Sequence, residues 1–300
     1  MLSPKPRYFP PQPRLPVKRL PRSKRVTIAA GFRFDKGILL CADTQYSAAH
    51  KTEGTKIFPV SYGSARLVIA LTGREAYARR AIEQIQRELQ DVGTDELTKD
   101  NLQDAIEKAL RVIFETNIFS HPHYGTPDSP EFQFVIAMYS PIDGLSLFKT
   151  EEGIAFTIDD KVCAGSGAYL GDYLNKRFYS APKRPLNDAV ALATYVLYEV
   201  KGHDIHCGGT SEFAILWDTG EVSPVQTGRI ALNEDYAASF DEFSKQIFYA
   251  VADLEKTDDE IFRAMAKTDE ILFLSLITRR EKQEQENLIK GLTKKLSDLA

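Results

Sequence analysis

Two hydrophobic periodicities alternate along residues 26–225, and their order restricts the fold more than any other feature of the chain. Period-two runs come first: Val26 to Arg33 and Ile38 to Ala42, joined at Asp35, Lys36 and Gly37, whose chemistry suits a tight hairpin. Thr55 to Val60 and Arg66 to Leu71 form a second pair around Tyr62, Gly63 and Ser64. Helical spacing takes over at Arg74 to Val92, with Ile82, Ile85 and Leu89 on one face, and again at Leu97 to Ser120, with Leu102, Ile106, Ala109, Leu110, Ile113 and Phe114. Phe132 to Tyr139, Gly144 to Lys149 and Gly153 to Ile158 read as a meander, Tyr169 to Tyr179 and Leu186 to Val200 as another helix pair, and Ser211 to Trp217 with Glu221 to Val225 as a last strand pair. Strands, two helices, strands, two helices, strands is not the alternation of a parallel βαβ chain. The order predicts an α+β fold: a four-layer αββα sandwich over residues 26–226, two antiparallel sheets face to face with a helix pair outside each.

The flanks differ in kind. Residues 1–25 hold seven of the 15 prolines and eight of the 38 Lys and Arg, with no acid, which neither sustains a helix nor buries a core. They read as an extended arm or a removable pro-segment; the prolines argue against a transit peptide. The rest of the chain keeps 30 basic against 42 acidic residues, and an acidic body argues against nucleic-acid binding. Residues 227–300 read as a helical extension, with Phe243, Ile247, Phe248 and Val251 at core spacing and a polar run from Arg279 to Asn287. No apolar run approaches the roughly 18 residues of a membrane span, and no apolar leader precedes a small-residue cleavage site. Three widely spaced cysteines, Cys41, Cys163 and Cys207, make a disulfide framework unlike this chain, so a cytoplasmic location is expected.

Candidate chemistry gathers at strand ends. Thr27 starts the first strand, Asp43 ends the second and Lys56 begins the third after a short loop containing Gly54. A hydroxyl, a carboxylate and an ammonium converging at one end of a sheet form an arrangement for nucleophile activation. Taken singly, each has an ordinary explanation: β-propensity for the Thr, a turn for the Asp, a solvated face for the Lys. A rival grouping of His203, His206 and Cys207 with His121 and His123 would suggest a metal. It is set aside because the two histidine pairs are some 80 residues apart and nothing in the pattern brings them together.

Taken together, the strand-end residues resemble a known family. VTIAAGFRFDKGILLCADTQ, GTKIFPV and LVIALTGREAYARRAIEQIQREL, in that order, are similar to the N-terminal half of a proteasome-type subunit, one of the N-terminal nucleophile hydrolases, and the likeness is to the β-type subunits. Thr27, with Gly31 four residues on and Asp43 sixteen on, stands in the register of the family's catalytic Thr and Asp, and Lys56 matches its lysine across a loop about three residues shorter. Gly73 in LTGREA resembles the glycine whose N–H forms the oxyanion hole. AGSG at Ala164 to Gly167 places Ser166 at the family's serine. In GHDIHCGG, Asp204 matches a further acid and Cys207 stands where a second serine is usual.

The resemblance implies a threonine peptidase that needs no metal or organic cofactor. Thr27 would become the first residue of the mature chain, its own α-amine acting as general base for its hydroxyl, Lys56 lowering the hydroxyl pKa, Asp43 orienting Lys56 and Gly73 N–H stabilising the oxyanion, with Ser166, Asp204 and Cys207 around them. Implied partners are copies or homologues in an oligomeric ring, an unfolded polypeptide as substrate and an ATP-dependent unfoldase. The alternative is a non-catalytic ring subunit that keeps its arm. Val26 stands where self-processing subunits usually carry Gly, and its β-branch restricts the conformation that attack on the preceding carbonyl needs. Against a purely structural role, such a subunit has no physical need for a Lys and an Asp placed beside a Thr.

Overall fold

A computed structural model describes residues 27–47, 51–126, 129–179, 184–252, 257, 259–261 and 263. The arm, and the extension beyond these residues, lie outside that description.

The first hairpin pairs β1 (Ile28–Phe34) with β2 (Gly37–Asp43), Ala29 opposite Ala42. A small hairpin, β3 (Gln45–Ser47) and β4 (Lys51–Glu53), follows where only a loop was expected. Next come β5 (Ile57–Tyr62) and β6 (Ala65–Gly73), helices α1 (Glu75–Gln90) and α2 (Lys99–Ile113), and the meander β7 (Phe132–Ser140), β8 (Gly144–Glu151) and β9 (Ile154–Ile158). A further strand, β10 (Lys161–Gly165), then α3 (Ala168–Phe178), α4 (Leu186–His203), β11 (Ser211–Trp217), β12 (Val222–Pro224) and α5 (Thr227–Ala252) complete the described chain.

One sheet has the order β10-β1-β2-β11-β12 and the other β5-β6-β7-β8-β9, all neighbours antiparallel. Strand alternation separates three apolar layers. In β6, Leu67, Ile69 and Leu71 join Ile82, Ile85, Leu89, Leu102 and Ile106 of the α1/α2 layer, while the intervening Val68 and Ala70 face Ala29, Leu40, Val135 and Leu147 between the sheets. On the far side Ile28, Phe32 and Leu39 pack under Val190, Val196 and Leu197 of α4. Three buried layers need four structural ones, so the expected αββα sandwich is the fold. Gly31 permits the sheet contact: a Cβ there would lie 2.8 Å from Leu147 and 2.9 Å from Val135 across the interface.

Several details depart from the sequence reading. The helix expected to run to Ser120 leaves α-geometry at Ile113 and widens into a π-turn, Phe114–Ile118, closed by Phe119 N–H donating to Phe114 C=O at 2.8 Å. β1 begins at Ile28 and β5 at Ile57, so Thr27 and Lys56 each precede their strands. Helix α5 starts at Thr227, where the extension was expected to begin, and is anchored on α4 by Glu234, which accepts from Lys201 Nζ at 2.6 Å, and by Phe240 edge-on to Tyr195. Its later turns correct the core reading: Phe248 is 66% and Val251 57% exposed, because helical spacing finds an apolar face without saying what covers it. No helix among the described residues is long and apolar enough to cross a membrane.

Candidate active site

Four segments meet at one end of the first sheet. The start of β1 supplies Thr27, the end of β2 supplies Asp43, the entrance to β5 supplies Lys56, and the turn after β10 supplies Gly165, Ser166 and Gly167. Asp43 is fully buried, and its carboxylate takes three hydrogen bonds: Oδ1 accepts Ile28 N–H at 3.2 Å and Lys56 Nζ at 2.8 Å, and Oδ2 accepts Gly208 N–H at 2.9 Å. The bond to Ile28 ties the residue next to Thr27 to the same oxygen that holds the lysine.

Lys56 is as deeply buried as its partner. Besides Asp43, its ammonium donates to Gln45 C=O and lies 4.8 Å from the centre of the Tyr46 ring, so an enclosed cation has an anion, a carbonyl dipole and a π-face around it. Burial pushes the Lys56 pKa down, against the upward pull of Asp43, and burial likewise raises Asp43 against Lys56 and the two backbone donors. The pair stays an ion pair because each group supplies most of what offsets the other's lost hydration.

The Thr27 hydroxyl is buried and makes no hydrogen bond among the described residues. A buried donor without a partner costs about 1–3 kcal/mol, and in a site of charged groups it marks an atom held for something other than stability. Gly165, at φ +95°, packs against the Thr27 main chain, where a Cβ would sit 1.8 Å from the Thr27 carbonyl oxygen and 3.2 Å from Thr72 Cγ2. Gly165→Ala therefore loses about 2–4 kcal/mol from steric overlap and left-handed strain together, read as a drop in the urea midpoint. Thr72 leads to Gly73, at φ +92°, whose missing Cβ leaves room for Glu131 O at 2.4 Å as β6 turns into α1.

Ser166 Oγ donates to Asp204 Oδ2 at 2.7 Å, and Asp204, ending α4, also accepts His206 N–H at 3.0 Å. Cys207 lies against Ser166 and Gly167. Burial, with Asp43 and Asp204 nearby, pushes its thiol far up, so it is a neutral packing group and not a competing nucleophile. Thr27, Asp43, Lys56, Ser166, Asp204 and Cys207 thus share one corner of the molecule, and Gly73 follows Thr72, which reaches that corner at Gly165. Among the described residues no three His, Cys, Asp or Glu side chains group as metal ligands.

Three neighbours escaped the sequence reading. Gln45 and Tyr46 sit on the unforeseen β3. Glu212, second residue of β11, accepts Lys56 N–H at 2.8 Å and the Thr55 hydroxyl at 2.9 Å. Its only signal was a carboxylate opening an otherwise apolar strand, SEFAILW.

Residues 24–216 match the family model for the proteasome subunit. The chain belongs to the proteasome subunit family. Solved structures similar to this proteasome-type subunit are Anbu, described as an ancestral β-subunit, from Yersinia bercovieri (14% identity, TM-score 0.62, covering 77% of this chain and 99% of that one) and a Gly-1 mutant of Anbu from Hyphomicrobium sp. strain MC1 (16%, 0.61, 77% and 99%). A third is the helical assembly of the Anbu complex from Pseudomonas aeruginosa (14%, TM-score 0.61, 73% and 96%). At such identities the likeness is one of fold. No curated sequence matches the subunit.

Proposed function

We propose that this proteasome-type subunit is a threonine peptidase, with Thr27 as nucleophile once the Val26–Thr27 bond is cut. The observation that carries the reading is the buried Thr27 hydroxyl, without a partner among the described residues, beside an equally buried Lys56–Asp43 pair. In the uncut chain the Thr27 nitrogen is an amide with no lone pair to accept a proton. After cleavage it is an α-amine of ordinary pKa about 7.7–8.0, able at neutral pH to take the hydroxyl proton. The alkoxide then attacks the scissile carbonyl, the developing oxyanion is met by Gly73 N–H, and the protonated amine returns its proton to the leaving amine. Water, deprotonated by the same α-amine, hydrolyses the acyl-threonine ester and frees the site. Lys56 stays charged throughout and lowers the energy of the alkoxide. Asp43 keeps it charged and in place.

Peptide chains that reach such an enclosed site enter extended, so unfolded polypeptide is the substrate class. The subunit works within an oligomer of its own or homologous chains, an assembly supported by the helical one described for the Pseudomonas aeruginosa relative, and an ATP-dependent unfoldase is the partner that would supply such substrate. Intact mass and N-terminal sequencing of the assembled protein test the reading: the chain is expected to start at Thr27. A protein that still begins within residues 1–25 has no general base, and the non-catalytic ring subunit becomes the function.

A further inference from the structure

The catalytic set is divided between the two sheets. Thr27 and Asp43 come from β1 and β2 of one sheet, whereas Lys56 leads into β5, the edge strand of the other. The chain between Asp43 and Lys56 leaves one sheet, forms the β3–β4 hairpin and enters the next, so the lysine needs an independent hold at its destination. Its ladder contact is half complete. Lys56 C=O accepts Leu71 N–H at 2.9 Å, but Lys56 N–H leaves the sheet and donates to Glu212 Oε2 at 2.8 Å, while Glu212 Oε1 accepts the Thr55 hydroxyl at 2.9 Å. Glu212 is itself registered on the other sheet, opposite Ala42 and next to the Ser211–Asp43 pairing. One carboxylate therefore joins the strand that carries Asp43 to the main chain that carries Lys56.

We propose that Glu212 is the positioning residue of this site, setting where the Lys56 ammonium stands against Asp43 and Thr27 by bracketing the Thr55–Lys56 main chain with both carboxylate oxygens. The catalytic part of this inference rests on the threonine-peptidase reading; the positioning part does not. Geometry and charge make the role specific to glutamate. Asp is one methylene too short for both bonds, and Gln, whose oxygen can take Lys56 N–H while its NH2 donates to the exposed Thr55 hydroxyl, keeps the contacts but loses the charge. The carboxylate also adds negative charge near an ammonium otherwise faced by Asp43 from β2, the Gln45 carbonyl and Tyr46 ring from β3, and the Cys207 thiol from the loop after α4. Removing it withdraws support for the charged form of the lysine.

The test compares wild type, Glu212→Ala and Thr55→Val, with Asp241→Asn, half of an exposed pair with Lys245 on α5, as a control remote from the site, in three measurements. Amide exchange over residues 54–58 is expected to quicken about tenfold or more in Glu212→Ala, as a backbone bond opens. Titration of carbon-13-labelled Lys56 by NMR is expected to show its pKa falling. Peptide hydrolysis is expected to lose about 10- to 100-fold in kcat with KM within about twofold, the signature of a misplaced catalytic group, and its alkaline limb moves to lower pH. Thr55→Val should fall between, and Asp241→Asn should match wild type. Unchanged exchange and unchanged Lys56 titration in Glu212→Ala overturn the proposal. So does faster exchange with kcat and the Lys56 pKa untouched, which would make Glu212 a structural tie alone. If wild type shows no Thr27-dependent hydrolysis, the peptidase reading fails, while exchange and titration still decide whether Glu212 positions the lysine.

Discussion

Thr27→Ala is expected to hold peptide hydrolysis at background, a fall of at least about 10⁴-fold in kcat, comparable to deleting the nucleophile of other hydrolases, and to leave the chain uncut at Val26–Thr27. Stability should barely move. Among the described residues the hydroxyl has no hydrogen-bond partner, so its loss removes a buried orphan and not a contact. The isosteric Thr27→Val sharpens the point, because a methyl in place of an unpaired hydroxyl should raise stability by about 1 kcal/mol while abolishing activity. Thr27→Ser, which keeps the hydroxyl, should retain measurable cleavage. Melting temperature and turnover of a short fluorogenic peptide, measured on the same preparations, check all three. Cleavage by Thr27→Ala at the wild-type rate would end the proposed mechanism, and a large loss of stability in Thr27→Val would mean that the hydroxyl has a structural partner after all.

Much of the sandwich was legible before any coordinates because both of its signals are local. Period-two and period-3.6 runs depend on which face of an element is buried, and Leu67, Val68, Ile69, Ala70 and Leu71 sort themselves between two layers by that rule alone. The site was legible differently, as residue types at fixed spacings. What stayed hidden depends on contacts far apart in sequence. Glu212 meets Lys56 across 156 positions, and nothing in either neighbourhood signals the other. The β3–β4 hairpin escaped because three-residue strands are too short to show a period. In α5 the spacing of Phe248 and Val251 was read correctly as one face, but burial is a property of the partner surface and not of the helix.

Lys56→Met should cost about 3–5 kcal/mol, since removing one partner of a buried pair strands the other, and should lower kcat by about 10³-fold or more through loss of the nearby positive charge. The stranded group is Asp43, left with only the Ile28 and Gly208 N–H donors. Its pKa already stands above the ordinary 3.8 because of burial, and without the ammonium it rises further. A carboxyl whose folded-state pKa is raised favours the folded state most below its unfolded pKa, and that contribution is lost as pH rises through the folded value. The deficit of Lys56→Met relative to wild type should therefore be small at pH 4 and largest near neutrality, as urea titrations at the two pH values would show; an equal deficit at both would mean that lost packing, not stranded charge, causes the destabilisation. Adding Asp43→Asn to Lys56→Met removes the buried charge while keeping a side-chain oxygen for one of the two backbone donors. The double variant should regain about 2 kcal/mol over the sum of the singles and remain without activity. Recovery of the fold without recovery of hydrolysis would separate the two roles of the pair. A subunit that served only as scaffold could replace both charges at little cost, so a fully buried ion pair near a threonine hydroxyl with no partner among the described residues supports the proposed chemistry over a purely structural role.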